Sequence, residues 1–375
     1  MLSNSWVEIN QRRLKHNIGQ FRKAIGPKVQ LLLPVKANAY GHGLFEVAKI
    51  AVKNKVDWFG VNSLEEAIAL RKHKVSQPIL VLGYIKLDQL PALARLKQVI
   101  PGVYNEQTVK CLGQLKNRIK IHLKLETGTY RQGILPEKLL DFINYIKKFS
   151  NLEIQGFYTH FANIEDTTNH HFAFGQLETF KRSIRLLEKN KIYIPIKHVA
   201  GSAATILYKK THFNLVRPGI GVYGLWSSHE TLVSAKRQRQ AVSLQPVLTW
   251  KTIIAQIKKV NKGQSIGYGC TEKIFRDSLI GIIPVGYWDG LDRGLSSIGN
   301  VIIKGQRAKI IGRICMNMAM VDLTDIKNVK VEDEVVLLGR QGTEEITADE
   351  LARKLGTINY EVVTRINPLL PRVIV

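Results

Sequence analysis

Short apolar, β-branched runs alternate with longer amphipathic stretches over about the first 230 residues, and this alternation dominates the pattern of the chain. The runs fall at 29–35, 56–61, 78–82, 99–103, 119–125, 154–160, 196–200 and 214–216. Between them, stretches such as 64–71 and 176–191 carry the apolar spacing of helices long enough to cross between parallel strands. Eight strand-and-helix units suit a closed barrel, whereas an open doubly wound sheet suits a count nearer six. Past Gly224 the pattern changes. A polar, basic stretch at 234–240 precedes β-branched runs at 248–257, 279–285, 301–311 and 331–338, separated by Gly, Asp and Asn. The expected fold is α/β: a TIM-type (β/α)8 barrel over 1–233, then a mainly antiparallel β domain over 234–375 that the first residues also join.

Composition narrows the class without changing this picture. A chain of 375 residues, 45% apolar, suits a large globular domain plus a smaller one. No apolar run approaches the roughly 20 residues that span a bilayer, and the opening Met1-Leu2-Ser3-Asn4-Ser5-Trp6 lacks the basic flank and apolar core of an export signal. A cytoplasmic location without a membrane partner is expected. Cys111, Cys270 and Cys315 form no CxxC pair, and the histidines show no HExxH or paired-ligand spacing, so neither a disulfide framework nor a metal site is expected. The excess of 55 Lys and Arg over 30 Asp and Glu gives a net charge of +25. The lysines are spread over nearly every expected helix instead of gathering with aromatics on one strip, so no specific nucleic-acid partner is expected.

The first chemically informative segment is Pro34-Val35-Lys36-Ala37-Asn38-Ala39-Tyr40-Gly41-His42-Gly43, where an apolar strand runs straight into a lysine and a glycine-bearing loop. At the C-terminal end of a barrel strand, such a lysine projects into the mouth where barrel enzymes carry out their chemistry. Desolvation there lowers an amine's pKa and makes it a usable nucleophile, although a strand-end lysine is also commonly just a solvated charge.

The segment resembles the pyridoxal-phosphate attachment motif of the alanine racemase family, and the resemblance extends over essentially the whole chain. It implies that Lys36 binds pyridoxal 5'-phosphate covalently and that Tyr40 contacts the phosphate. It implies a racemase interconverting L- and D-alanine, with D-alanine destined for peptidoglycan. Inverting a carbon acid needs one base on each face. The second base implied is Tyr268, in Ser265-Ile266-Gly267-Tyr268-Gly269-Cys270-Thr271, which the family brings in from the partner subunit of a homodimer. A phenol of pKa about 10 needs cationic or hydrogen-bonding support for that task. The resemblance assigns this support to His198, in Ile196-Lys197-His198-Val199-Ala200-Gly201-Ser202, and Arg217, in Val216-Arg217-Pro218-Gly219. Arg217 is also placed against the pyridine nitrogen. Without the resemblance, Tyr268 is a turn or interface aromatic and His198 a core histidine.

The remaining assignments rest on the same resemblance. Ser202, Gly219, Ile220 and Tyr360 complete the phosphate cup, and His160 packs near the pyridine ring. In His122-Leu123-Lys124-Leu125-Glu126-Thr127-Gly128-Thr129-Tyr130-Arg131, Arg131 approaches the cofactor phenolic oxygen and the substrate carboxylate, while Lys124 matches a lysine that is often carbamylated and holds that arginine. Tyr287 lines the narrow mouth, and the backbone of Met316 receives the substrate carboxylate, both across the dimer interface. Glu126, Thr129 and Tyr130 replace the usual Asp, Met and Gly, Gly201 stands where Asn is frequent, and Asn317 replaces a common Asp.

Other readings remain beside this one. Gly219 to Gly224 matches GxGxxG, but it follows the last alternating strand instead of the first and lacks the expected helix. A serine or broad-specificity racemase of the same family differs by contacts worth only about 1–3 kcal/mol. A barrel-type decarboxylase would place a carboxylate at the pyridine nitrogen, and a cofactor-carrying barrel without catalysis would stop near Gly224.

Overall fold

The computed structural model describes residues 3–375, so Met1 and Leu2 of the opening segment lie outside the described residues. The chain divides into two compact units. One comprises Leu14–Ala37 and Ala48–Gln245; the other comprises the chain through Arg13, Asn38–Val47 and Pro246–Val375.

Strand β1 (Ser5–Ile9) belongs to the second unit, and the eight strands of the first follow it: β2 (Gln30–Pro34), β3 (Trp58–Val61), β4 (Ile79–Val81), β5 (Val99–Val103), β6 (Ile119–Lys124), β7 (Leu152–Tyr158), β8 (Ile196–His198) and β9 (Leu215–Val216). They pair in parallel in the order β8-β7-β6-β5-β4-β3-β2-β9. Two backbone bonds bring the ends together, Arg217 N to Ala200 O at 2.8 Å and Asn214 N to Lys197 O at 3.4 Å. The result is a nearly closed (β/α)8 barrel, as the eight alternating runs lead one to expect. Leu32, Trp58, Leu80, Ile100 and Leu215 form one cluster of its buried core. Burial of each such side chain contributes roughly 1.5–3 kcal/mol, which offsets the entropy of ordering the strands.

The second unit is a sheet in the order 256–260, 278–283, 319–322, 306–311, 300–303, 334–341, 248–253, 5–9 and 372–374. Its pairs are antiparallel except for β1 against Arg372–Ile374. Two expected single runs are each two strands. The run 301–311 folds back at Lys304 and Gly305, whose φ values of 49° and 74° make the two-residue turn that suits the twist of a hairpin. The run 248–257 breaks at Ile254 and Ala255. There the backbone changes partner, Ile254 N donating to Asp333 O and Ala255 N to Ile282 O. The basic stretch at 234–240 overlaps a helix, His229–Arg237, capped by Ser228, whose hydroxyl accepts from Thr231 N at 3.0 Å. Among the described residues no helix is long and apolar enough to cross a membrane.

Candidate active site

Lys36 lies two residues past the end of β2 and is half-buried at the C-terminal end of the barrel. Loss of hydration lowers its pKa, and the Arg131 and Arg217 charges add to the effect against the opposing pull of Glu66. The backbone beyond it is unusual. Ala37, Asn38, Ala39 and Tyr40 have φ between 53° and 54°, a left-handed helical turn of four residues with side chains. Each such residue costs roughly 1–2 kcal/mol, so the turn persists only because its surroundings hold it. Glu66 Oε1 accepts from Ala37 N at 2.7 Å, Asn38 Oδ1 accepts from Leu44 N at 2.8 Å, and Arg372 donates to Gly41 O through Nε at 3.2 Å and Nη2 at 3.0 Å. Glu66 is also the third residue of a helix capped by Ser63 in a capping box. It went unread as a site residue, although the Ser63-Leu64-Glu65-Glu66 spacing is visible in the sequence.

Arg217, just past β9, is buried and held from several sides. Its Nη1 donates to His198 Nδ1 at 2.5 Å, and its Nη2 donates to Thr159 O at 2.8 Å and Val199 O at 3.1 Å, with His160 Nδ1 at 3.5 Å. Burial lowers its pKa to about 10, so the guanidinium stays charged at neutral pH. Tyr158 stacks on His198 at 4.8 Å and lies 5.5 Å beneath the Arg217 guanidinium. His160 is exposed on its free side, and the site a Cβ would take on Gly201 is open, with only His160 Cε1 at 4.0 Å.

Lys124 ends β6, is buried, and donates to Gln132 Oε1 at 3.1 Å. Desolvation first, then Arg131 and Arg217, bring its pKa to about 8. The loop carrying Arg131 is organised by Glu126. Its Oε1 accepts from Gly128 N and Thr129 N, each at 2.6 Å, and its Oε2 from Arg131 N at 3.3 Å. Arg131 is itself exposed. The replacement of Asp by Glu noted in the sequence thus lies at the carboxylate that shapes this loop.

The starts of two short helical turns meet just past Arg217. The helix Ser202–Leu207 and the single turn Ile220–Tyr223 both begin there, and the first N–H groups of each have no acceptor within their own turn. Gly221 N donates to Ser202 Oγ at 3.1 Å, which ties the two turns together. A Cβ on Gly221 would lie 2.6 Å from Phe21 Cζ, so only glycine permits this approach. The GxGxxG match therefore forms a short turn closed by a left-handed Gly224, with no dinucleotide-type helix behind it.

The second unit gathers a different set. Tyr40 and Tyr360 face each other with ring centroids 6.2 Å apart. Tyr268 stands 70% exposed on a turn in which Gly267, Gly269 and Cys270 all have positive φ. Gly267 packs against the backbone of Gly312 and Arg313. That segment leads to Met316, whose carbonyl accepts from Trp288 N at 2.9 Å, beside Tyr287 N donating to Cys315 O at 3.0 Å. Tyr268, Tyr287, Trp288, Met316 and Met318 are all exposed, a concentration of large apolar surface uncommon on a lone globular chain.

Comparison with known proteins gives a consistent answer. Residues 9–227 match the alanine racemase N-terminal domain and residues 247–374 the alanine racemase C-terminal domain. The alanine racemase of Methanococcus maripaludis is 40% identical over 373 residues, 98% of each chain, and that of Halothermothrix orenii is 40% identical over 98% of this chain and 96% of its own. Among solved structures, the Bacillus anthracis alanine racemase with bound L-Ala-P superposes with a TM-score of 0.93 at 33% identity, covering 100% of this chain and 96% of that one. The Clostridium difficile alanine racemase in complex with cycloserine gives 0.91 at 31% identity over the same shares. With both domains matched and full-length identities of this size, the chain belongs to the alanine racemase family of isomerases.

Proposed function

We propose that the protein interconverts L- and D-alanine with pyridoxal 5'-phosphate, using Lys36 and Tyr268 as the two bases. The observation that carries this reading is the half-buried Lys36 amine at the barrel mouth, its pKa lowered by burial and by two arginines. The donor set fits the cofactor. The Lys36 amine suits its aldehyde, the converging N–H groups beside Ser202, Gly219 and Ile220 suit its phosphate, and Arg217 offers a fixed charge for the ring nitrogen. Tyr40 and Tyr360 are assigned to the same phosphate, and His160 to the ring. When bound, the cofactor withdraws electrons from the substrate Cα and makes its proton removable.

The chain's own groups then account for the rest. Lys36, partly desolvated, holds or releases a proton on one face. Tyr268 of the partner subunit is assigned the opposite face, which makes the homodimer the active form and gives the exposed Tyr268, Tyr287 and Met316 a covering surface. Arg131 matches a planar carboxylate with its fork of donors, and Lys124 and Glu126 set the loop that carries it. His198 keeps Arg217 in place, so the ring environment stays cationic and the weaker electron sink favours return of the proton to Cα. The D-alanine formed is assigned to peptidoglycan synthesis, and the location to the cytoplasm.

The test is chiral chromatography of L-alanine, D-alanine, L-serine and L-lysine incubated with the purified holoenzyme. Inversion of alanine alone supports the reading. Comparable inversion of serine or lysine replaces it with a broad-specificity racemase, and no inversion of any substrate refutes it.

A further inference from the structure

Gln176 is polar and buried, yet it belongs to none of the groups assigned to cofactor or substrate. It lies on the helix His171–Lys189, among the buried apolar residues Ala173, Leu177, Phe180 and Ile184. An amide in such a place is costly unless its polar atoms find partners, and here they do. Ala162 N donates to Gln176 Oε1 at 2.9 Å. A backbone N–H can only donate, so this bond fixes the orientation of the amide and turns Nε2 the other way. Nε2 then donates to Thr127 Oγ1 at 3.2 Å and to His160 O at 3.4 Å.

These partners come from two segments. Thr127 is in the loop that follows β6 and carries Arg131, whereas His160 and Ala162 are in the segment that follows β7. The segments also meet directly, Thr127 Oγ1 with Thr159 Oγ1 at 2.8 Å and Thr129 Oγ1 donating to His160 O at 2.9 Å. The methionine that Thr129 replaces has no hydrogen to donate in this way. Phe172, four residues before Gln176 and so on the same helix face, packs on the loop as well: a Cβ on Gly128 would fall 2.9 Å from Phe172 Cζ. Thr159 in turn offers its carbonyl to Arg217 Nη2 at 2.8 Å.

We propose that Gln176 is a positioning residue, whose amide clamps the Arg131 loop to the end of β7 and so fixes Arg131 relative to His160 and Arg217. Glu126 shapes this loop from within, through Gly128 N, Thr129 N and Arg131 N, and those three bonds are internal to it. Arg131 is exposed, so its place depends on the backbone that carries it. With the clamp gone, part of the free energy of substrate binding goes into ordering the loop, which weakens binding more than it slows the step that follows. The effect on substrate rests on the proposed role of Arg131; the clamp itself does not.

The experiment compares the wild-type holoenzyme with Gln176→Met, which keeps the length of the side chain without its donors and acceptor. Thr127→Val, close to an isostere at a half-buried position, removes the Thr127 bond from the acceptor side and keeps the test valid even where Gln176→Met disturbs the helix. Amide hydrogen exchange is followed by mass spectrometry and alanine inversion by chiral chromatography. In both variants exchange across 127–133 should quicken about tenfold, the size of a lost buried hydrogen bond, while β2 to β5 keep their protection. KM for L-alanine should rise about tenfold, with kcat within about threefold of the wild type. Unchanged exchange across 127–133, or a rise shared equally by β2 to β5, overturns the clamp. A quickened loop with unchanged KM overturns its part in holding substrate. Exchange needs no turnover, so a wild type that inverts no alanine refutes the proposed function while exchange still decides the clamp.

Discussion

Gly221→Ala isolates the contact that holds the backbone donors together. The added methyl would lie 2.6 Å from Phe21 Cζ, 3.1 Å from Phe21 Cε2 and 3.3 Å from Ser202 Cβ. Phe21 is fully buried, so its ring has no free direction in which to retreat. Gly221 does not have a positive φ, so the effect is steric and not one of backbone strain. Overpacking of this kind costs about 1–3 kcal/mol, which for a unit the size of the barrel lowers Tm by roughly 2–4 °C per kcal/mol. The same collision pushes the turn at Ile220–Tyr223 away from Ser202 and lengthens the 3.1 Å bond between them. Affinity for pyridoxal phosphate, followed by cofactor fluorescence, should fall at least about tenfold, the equivalent of one charge-assisted hydrogen bond. Phe21→Leu in the same chain makes room for the methyl and should restore much of both losses, an interaction that a double-mutant cycle measures. If Gly221→Ala melts and binds cofactor as the wild type does, the steric account of the cradle is wrong.

Lys36→Ala should fold with unchanged Tm in the cofactor-free state but show no cofactor retained after borohydride reduction and denaturation; retention of the label by mass spectrometry would contradict its assignment. Glu126→Gln should loosen the Arg131 loop, raising KM for alanine about tenfold with a smaller effect on kcat, whereas Glu126→Asp should be milder; equal KM in all three proteins would remove Glu126 from the account. The low pKa of Lys124, about 8 against 10.5 for a free lysine, means that the unfolded chain binds more protons between those values. Stability should therefore rise with pH across that window, and the rise should shrink in Lys124→Met, as followed by urea midpoints. The same partly neutral amine is poised to add carbon dioxide: [13C]bicarbonate should give a carbamate NMR signal that Lys124→Met lacks, and a signal present in both would place the carbamate elsewhere.

The barrel was readable because each buried parallel strand is a short apolar run, and the crossover helices carry their own period. The second unit was harder. At Lys304 and Gly305 two turn residues sit inside a continuous β-branched run, and at Ile254 the strand ends because hydrogen-bonding partners change, which leaves no mark on the local pattern. The site divides in the same way. Lys36, Arg131, Arg217 and Tyr268 stand in contiguous segments that resemble family motifs. Glu66 and His122 act through residues far along the chain, Glu66 by accepting from Ala37 N and His122 by meeting His198, so only the folded barrel reveals them.

The central claim is that two different groups serve the two faces of Cα. Its most direct measurement is deuterium incorporation at Cα during single-direction turnover of L-alanine and of D-alanine in deuterated water, comparing the wild type with Tyr268→Phe. The two-base account predicts that Tyr268→Phe slows solvent exchange strongly for one enantiomer while exchange of the other, through Lys36, continues. Equal loss of exchange for both enantiomers, or equal retention, would contradict it.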